Sequence, residues 1–310
     1  MPVNVLFSAR PGLWPEYEPL LHQGLTDAGL DFHLATDIPA DQVDYVVYAP
    51  NSGLQDFTSY TRLKAVLSLW AGVESISGNE TLTVPLARMV DGGLTQGMTE
   101  WVVGHVLRYH LGMDRHITQQ DGDWTPDAPP LASQRTVCVL GLGALGEASA
   151  RALTALNFHV IGWSRTAKDI PGVTCLHGPE GLRAALSQTE IVVLLLPDTP
   201  ATTNILNAHT LALLPKGAQI INPGRGPLID DDALLQALNS GQVGHATLDV
   251  FRTEPLPPEH SYWAHPNVTV TPHIASETRP VTSAQVICEN IRRGEAGEPF
   301  LHLVDRGLGY

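Results

Sequence analysis

Thr136-Val137-Cys138-Val139-Leu140-Gly141-Leu142-Gly143-Ala144-Leu145-Gly146-Glu147 is an apolar run that passes into three spaced glycines and then into a stretch of helical character. The glycine pattern alone is weak, because glycine is common. A strand before it and a helix after it give it a mechanism: Gly141 permits a tight turn, Gly143 lets backbone approach a pyrophosphate, and Gly146 lets helix and strand pack closely. A phosphate placed there, beside Ala144 and Leu145, meets the unpaired N–H groups of a helix N-terminus. The segment therefore reads as the first strand–turn–helix of a dinucleotide-binding α/β domain.

The end of the next strand bears on cofactor choice. A domain that binds the non-phosphorylated dinucleotide places Asp or Glu there, to accept from the ribose 2′-hydroxyl. This chain has Gly162-Trp163-Ser164-Arg165-Thr166-Ala167-Lys168. A 2′-phosphate would find a hydroxyl and a cation in place of a repelling carboxylate. NADPH is expected over NADH, with NADH a weaker alternative; the plainer alternative leaves Arg165 and Lys168 as solvated loop charges.

Outward from this turn the alternation continues. Residues 136–141, 158–163, 191–196, 219–222, 244–250 and 268–271 have strand patterns, and 147–157, 180–188, 211–214 and 231–240 helical ones, which marks a doubly wound parallel sheet. Upstream, residues 3–7, 32–35, 45–48 and 63–69 read as strands and 16–28 as a helix, a second small parallel α/β unit. From about Thr95, apolar residues at three- and four-residue steps through Met113 predict a long helix, which ends near a polar, Pro-rich loop over 121–130. Helical character returns at residues 280–293, which would fold back onto the first unit. The expected fold class is α/β, with two doubly wound parallel-sheet domains and an active-site cleft between them: a flavodoxin-like substrate domain of residues 1–96 plus 277–310, and a Rossmann domain of residues 97–276.

Bulk properties narrow the function classes. The 310 residues are 43% hydrophobic and 16% charged, enough for two cores and too apolar for disorder. A formal charge of −14 argues against nucleic acid or an anionic membrane as partner. Three scattered cysteines fit a reducing cytoplasm better than a disulfide framework. The start shows no signal-peptide pattern, and no apolar run approaches a membrane span. No His/Cys/carboxylate set has metal-ligand spacing.

Three later residues carry chemistry. Arg225, in Asn222-Pro223-Gly224-Arg225-Gly226, follows an apolar strand at the sheet's carboxyl edge, where such folds bind ligands; its guanidinium can grip a carboxylate and polarise a carbonyl. His273, in Thr271-Pro272-His273-Ile274-Ala275, sits past another strand, and histidine suits proton donation near neutrality. Glu254 is the candidate carboxylate that holds the ring. The bland alternatives are a turn arginine, one structural histidine among 13, and a solvated loop glutamate.

These runs, with Leu228-Ile229-Asp230, Ala246-Thr247-Leu248-Asp249-Val250-Phe251, Glu254-Pro255-Leu256-Pro257 and His265-Pro266-Asn267, resemble the D-isomer-specific 2-hydroxyacid dehydrogenase family over nearly the whole chain. The resemblance implies Arg225 as the substrate-binding and polarising residue, His273 as proton donor and Glu254 as its partner. It implies that Leu196-Pro197 and Asp249 meet the nicotinamide end, with Pro223, Gly224, Arg225, His273 and Ala275 also on the cofactor side. It implies that Ala71-Gly72-Val73 offer N–H groups to a substrate carboxylate. A homodimer is implied in the same way, with Trp124 on its loop at the contact. The Trp-Ser-Arg-Thr run and the tail Val304-Asp305-Arg306-Gly307-Leu308-Gly309-Tyr310 look most like the family's NADPH-using glyoxylate/hydroxypyruvate reductase A branch. Trp70 departs from that branch's smaller residue and either lines the pocket or packs into a core; Tyr48 is a second candidate aromatic wall. Two other readings remain: a dehydrogenase for a larger or phosphorylated 2-hydroxy acid, and a non-catalytic dinucleotide sensor of the same fold.

Overall fold

A computed structural model describes residues 2–118, 120–122 and 124–309; Met1, Gln119, Asp123 and Tyr310, the last residue of the tail quoted above, lie outside the described residues. The chain divides into two compact units, residues 1–94 with 277–310, and residues 95–276.

The first unit is a parallel sheet of β1 (Val3–Ser8), β2 (Phe32–Ala35), β3 (Tyr45–Tyr48), β4 (Ala65–Ser68) and β5 (Leu86–Ala87), in the order β2-β1-β3-β4-β5. Its strands are apolar on both faces, as a sheet covered on both sides requires. Alternate residues divide between two cores: Val5, Phe7, Tyr45 and Val47 in one, Leu6, Val46, Tyr48 and Val66 in the other. The helices Trp14–Asp27 and Pro280–Ala296 close the first core through Leu21, Leu25, Ile287 and Ile291, each 0–1% exposed. Each such burial contributes roughly 1.5–3 kcal/mol. A hydrogen bond of 2.9 Å between Tyr17 Oη and Ser283 Oγ adds a polar tie between these helices. The unit is thus completed by the C-terminal end of the chain.

The second unit is a sheet of β6 (Thr136–Leu140), β7 (His159–Ser164), β8 (Thr174–His177), β9 (Ile191–Leu194), β10 (Ala218–Asn222), β11 (Val243–Leu248) and β12 (Val268–Val270), all parallel. Their order is β12-β11-β10-β9-β6-β7-β8. The chain builds outward from β6 through β7 and β8, then returns to the other side of β6 with β9. That reversal is the switch point outside which open α/β sheets bind ligands.

Two strands were not foreseen: β5 is two residues long beside Pro85, and β8 is a half-exposed edge without alternation. The long helix also differs from its sequence reading. It runs Gly92–His110, starting early because Asp91 Oδ1 accepts from the N–H groups of Gly93 and Leu94 at 2.8 and 3.1 Å. It stops where Gly112 takes a φ of +62°, and a separate helix follows at Met113–Thr118. The helix expected at 211–214 lies instead at Ala208–Leu211, because Asn207 caps it by accepting from His209 and Thr210 N–H.

Candidate active site

Parallel pairing sends every strand of the second unit out at one edge, and the turns there press on one another. A Cβ on Gly141, whose φ is +104°, would lie 2.5 Å from the Leu195 carbonyl oxygen; one on Gly224 would lie 2.8 Å from that of Leu194. One on Gly226 would lie 2.0 Å from the Phe251 carbonyl carbon. Real side chains cannot occupy those spaces, so these glycines let the turns after β6, β9, β10 and β11 touch backbone to backbone. The candidate nucleotide turn and the Arg225 and Glu254 loops thereby form one continuous rim.

The turn after β6 passes a direct test of fit to a dinucleotide. A Cβ on Gly146 would meet the Gly141 carbonyl oxygen at 1.8 Å, so this glycine is needed for packing. A Cβ on Gly143 would meet nothing within 4 Å, so the protein itself does not require a glycine there. Its bareness leaves space in front of the helix Ala144–Ala155, which has no side-chain cap. The first-turn N–H groups, from Ala144, Leu145 and Gly146, have no acceptor within a helix and lie at its positive end. Glu147, the one acid of that turn, is paired with Arg151 at 2.7 Å. Space and donors both suit a pyrophosphate.

At the end of β7, Ser164 is 8% exposed and its hydroxyl donates to the Thr166 carbonyl at 2.7 Å. It shapes the loop instead of standing ready as a donor, while Arg165 and Thr166 are exposed. Leu196 is buried, and the Pro197 carbonyl accepts from Thr202 Oγ1 at 2.6 Å.

Arg225 stands half-buried on a turn held by Asn222, which is 1% exposed. Asn222 Nδ2 donates to the Arg225 carbonyl at 2.9 Å, and its Oδ1 accepts from Gly224 N–H at 3.1 Å. Pro223 and Gly224 are buried beneath. Arg225 Nη1 donates to the Gly224 carbonyl at 2.7 Å.

Asp249 is fully buried, and its carboxylate orders the segment after β12. Oδ1 accepts from Thr271 Oγ1 at 2.6 Å and Ile274 N–H at 2.9 Å, and Oδ2 from Ala275 N–H at 2.9 Å. Three donors offset the cost of a buried charge. The Asp249 carbonyl also accepts from His273 N–H at 2.8 Å, which helps to hold His273 at a φ of +54°, a left-handed conformation unusual for a side-chain-bearing residue. His273 Nδ1 then meets Glu254 Oε2 at 2.7 Å, while Glu254 Oε1 accepts from Phe251 N–H at 2.8 Å. With the carboxylate as acceptor, Nδ1 carries the proton and Nε2 is the ring nitrogen left for other partners. The two side chains are 51% and 36% exposed, open to solvent and to small molecules.

In the first unit, Trp70 is 42% exposed, and Ala71 and Gly72 are half-buried on the loop between β4 and the helix Glu74–Ser77. Tyr48 does not form the aromatic wall expected of it. It is 1% exposed, its ring packs on Phe57 at 6.0 Å and its hydroxyl donates to the Leu54 carbonyl at 3.3 Å, because every residue of β3 is buried. No role for Asn222 was legible in the sequence, and Asp249 was expected at the nicotinamide end only. An amide just before Pro-Gly, and a lone acid closing an apolar strand, were the signals available for their scaffold roles.

Residues 103–275 match the family described as D-isomer specific 2-hydroxyacid dehydrogenase, NAD binding domain. The chain belongs to that family. A glyoxylate/hydroxypyruvate reductase A from Serratia proteamaculans is 44% identical over 257 residues, 80% of this chain and 82% of that protein. A family member from Xanthobacter autotrophicus, solved with NADPH and MES, superposes with a TM-score of 0.92 at 40% identity over 100% of both chains. An NADPH-dependent glyoxylate/hydroxypyruvate reductase from Sinorhizobium meliloti, solved with NADP and sulfate, gives 0.85 at 37% identity over 100% of this chain and 99% of that one. Among the described residues no helix is long and apolar enough to cross a membrane, and no group of three His, Cys, Asp or Glu is placed to hold a metal ion.

Proposed function

We propose that this protein reduces short 2-oxo acids, glyoxylate and hydroxypyruvate among them, to 2-hydroxy acids, with NADPH as the preferred reductant and NADH a weaker one. The observation that carries this reading is the 2.7 Å contact between His273 Nδ1 and Glu254, on the rim that also bears Arg225 and the bare Gly143. The names of the relatives point the same way.

The turn from Gly141 to Gly146 would hold the pyrophosphate; Arg165 and Thr166, on a loop that Ser164 shapes from beneath, the 2′-phosphate end; and Leu196, Pro197, Pro223, Gly224, Asp249 and Ala275 the nicotinamide end. Once bound, the reduced nicotinamide supplies the hydride that substrate C2 accepts. Arg225 grips the substrate carboxylate and polarises the carbonyl beside it. Protonated His273 gives its Nε2 proton to the carbonyl oxygen as C2 gains the hydride, so that the alcohol forms and the imidazole is left neutral. Glu254 fixes the ring through Nδ1 and so holds Nε2 toward the carbonyl oxygen. Half-exposed, the ring regains its proton from water.

The proposal extends to a cytoplasmic homodimer. Three free thiols support the compartment. Ile117, Trp124 and Leu131, exposed at 70%, 94% and 71%, offer apolar surface for a second copy to cover. The test is NADPH and NADH consumption with glyoxylate, hydroxypyruvate and pyruvate. Turnover of the first two, with NADPH favoured in kcat/KM, is expected. NADPH binding without consumption by any short 2-oxo acid overturns the reading.

A further inference from the structure

Between Phe251 and Glu254 the chain carries a residue to which neither the family resemblance nor the mechanism gives any role. Arg252 lays its guanidinium on the segment that follows Arg225. Its Nη2 donates to the Ile229 carbonyl and to Asn204 Oδ1, with the Pro227 carbonyl at 3.4 Å, and its Nε lies 3.5 Å from Asp231 Oδ2. Asp231 is itself held, since Tyr262, 2% exposed, donates its hydroxyl to Asp231 Oδ1 at 2.9 Å. Burial and this carboxylate push the Tyr262 phenol well above its ordinary value, so it remains a donor throughout the working pH range. Asn204 is fixed in turn, with its N–H on the Pro227 carbonyl at 2.8 Å.

We infer that Arg252 is a positioning residue for the proton-donating pair: it staples the loop carrying Glu254 to the turn carrying Arg225. Glu254 reaches His273 from a short exposed loop whose internal tie is the bond from Phe251 N–H to Glu254 Oε1. Core packing of Phe251 and Leu256 and the bond from Trp263 Nε1 to the Pro257 carbonyl at 3.0 Å hold the ends of this loop, and Arg252 ties down its exposed middle, beside the carboxylate that lies 2.7 Å from Nδ1. The anchor sits on carbonyls 227 and 229, two to four residues past Arg225, and so ties the loop to a turn that Asn222 already holds in place. A misplacement of about 1 Å at such a pair costs up to roughly a hundredfold in rate.

The inference rests on the pairing of His273 with Glu254 proposed above, and a double-mutant cycle separates the two. Arg252→Ala is expected to lower kcat about tenfold or more, with the Kd for NADPH and the KM for glyoxylate within about threefold of wild type. In a Glu254→Ala background the same substitution is expected to cost less than about twofold, because the group it positions is already gone. Asp231→Asn, which weakens the anchor while keeping its shape, is expected to give an intermediate loss and serves in the cycle should Arg252→Ala fold poorly. Equal losses in both backgrounds, or wild-type turnover in Arg252→Ala, overturn the positioning role. A Glu254→Ala variant that turns over normally overturns the pairing itself.

Discussion

Replacing Gly143 by alanine separates what the fold needs from what the nucleotide needs. The added methyl meets no protein atom within 4 Å, and the backbone there, with φ −75° and ψ −170°, is open to any L-residue. Restricting the unfolded chain gains about 0.4–1 kcal/mol, while alanine is a poorer N-cap than glycine by up to about 1 kcal/mol. The two nearly cancel, so the thermal midpoint without nucleotide should move by no more than about 3 °C in a chain of this size. A pyrophosphate approaching the helix N-terminus meets that methyl directly. Losing one charge-assisted backbone contact costs about 1.5–3 kcal/mol, a roughly 10- to 150-fold rise in the Kd for NADPH. Gly146→Ala, whose methyl would lie 1.8 Å from the Gly141 oxygen, should instead lower the midpoint by several degrees. Thermal melts and a nucleotide titration of both variants decide the matter. An unchanged Kd in Gly143→Ala, or a collapse of its midpoint, refutes the reasoning.

Two further outcomes are expected. Arg165→Ala should raise the KM for NADPH about tenfold and leave that for NADH within about twofold, since NADH lacks the 2′-phosphate that the guanidinium would hold; parallel steady-state kinetics with both nucleotides check this. His245 is held down to about 4 from the ordinary histidine value of 6.5 by burial and then by Arg108, with its Nε2 at 2.9 Å from Thr269 Oγ1. As pH falls from about 6.5 to about 4 the unfolded chain takes up a proton that the folded chain does not, so stability is lost across that window, by up to about 2 kcal/mol after allowance for partial exposure. His245→Gln should lessen the fall in thermal midpoint between pH 7 and pH 4.5, and an unchanged fall argues against His245 as a source.

The β6 turn and the alternation on either side of it were plain in the sequence because each is a local signal: glycines where backbone crowds backbone, and apolar runs of strand length. Arg225, Glu254 and His273 were legible because each closes or follows such a run. The early start at Asp91, the break at Gly112 and the cap at Asn207 are local signals too, but the apolar periodicity that drew attention runs straight across them. The burial of Tyr48 was hidden for another reason. A strand covered on both faces gives no alternation to show which way a ring points. Asp249 and Arg252 make their contacts with residues on neighbouring turns, and such contacts exist only once the strands are side by side; Asn222 holds its own turn, a local signal that the adjacent glycines overshadow.

Replacing His273 by alanine tests the central claim most directly, with turnover measured at saturating NADPH and glyoxylate and nucleotide binding measured separately. The account predicts a fall in kcat on the order of 10²–10⁴-fold with the Kd for NADPH largely unchanged. Turnover near that of the wild type would contradict it.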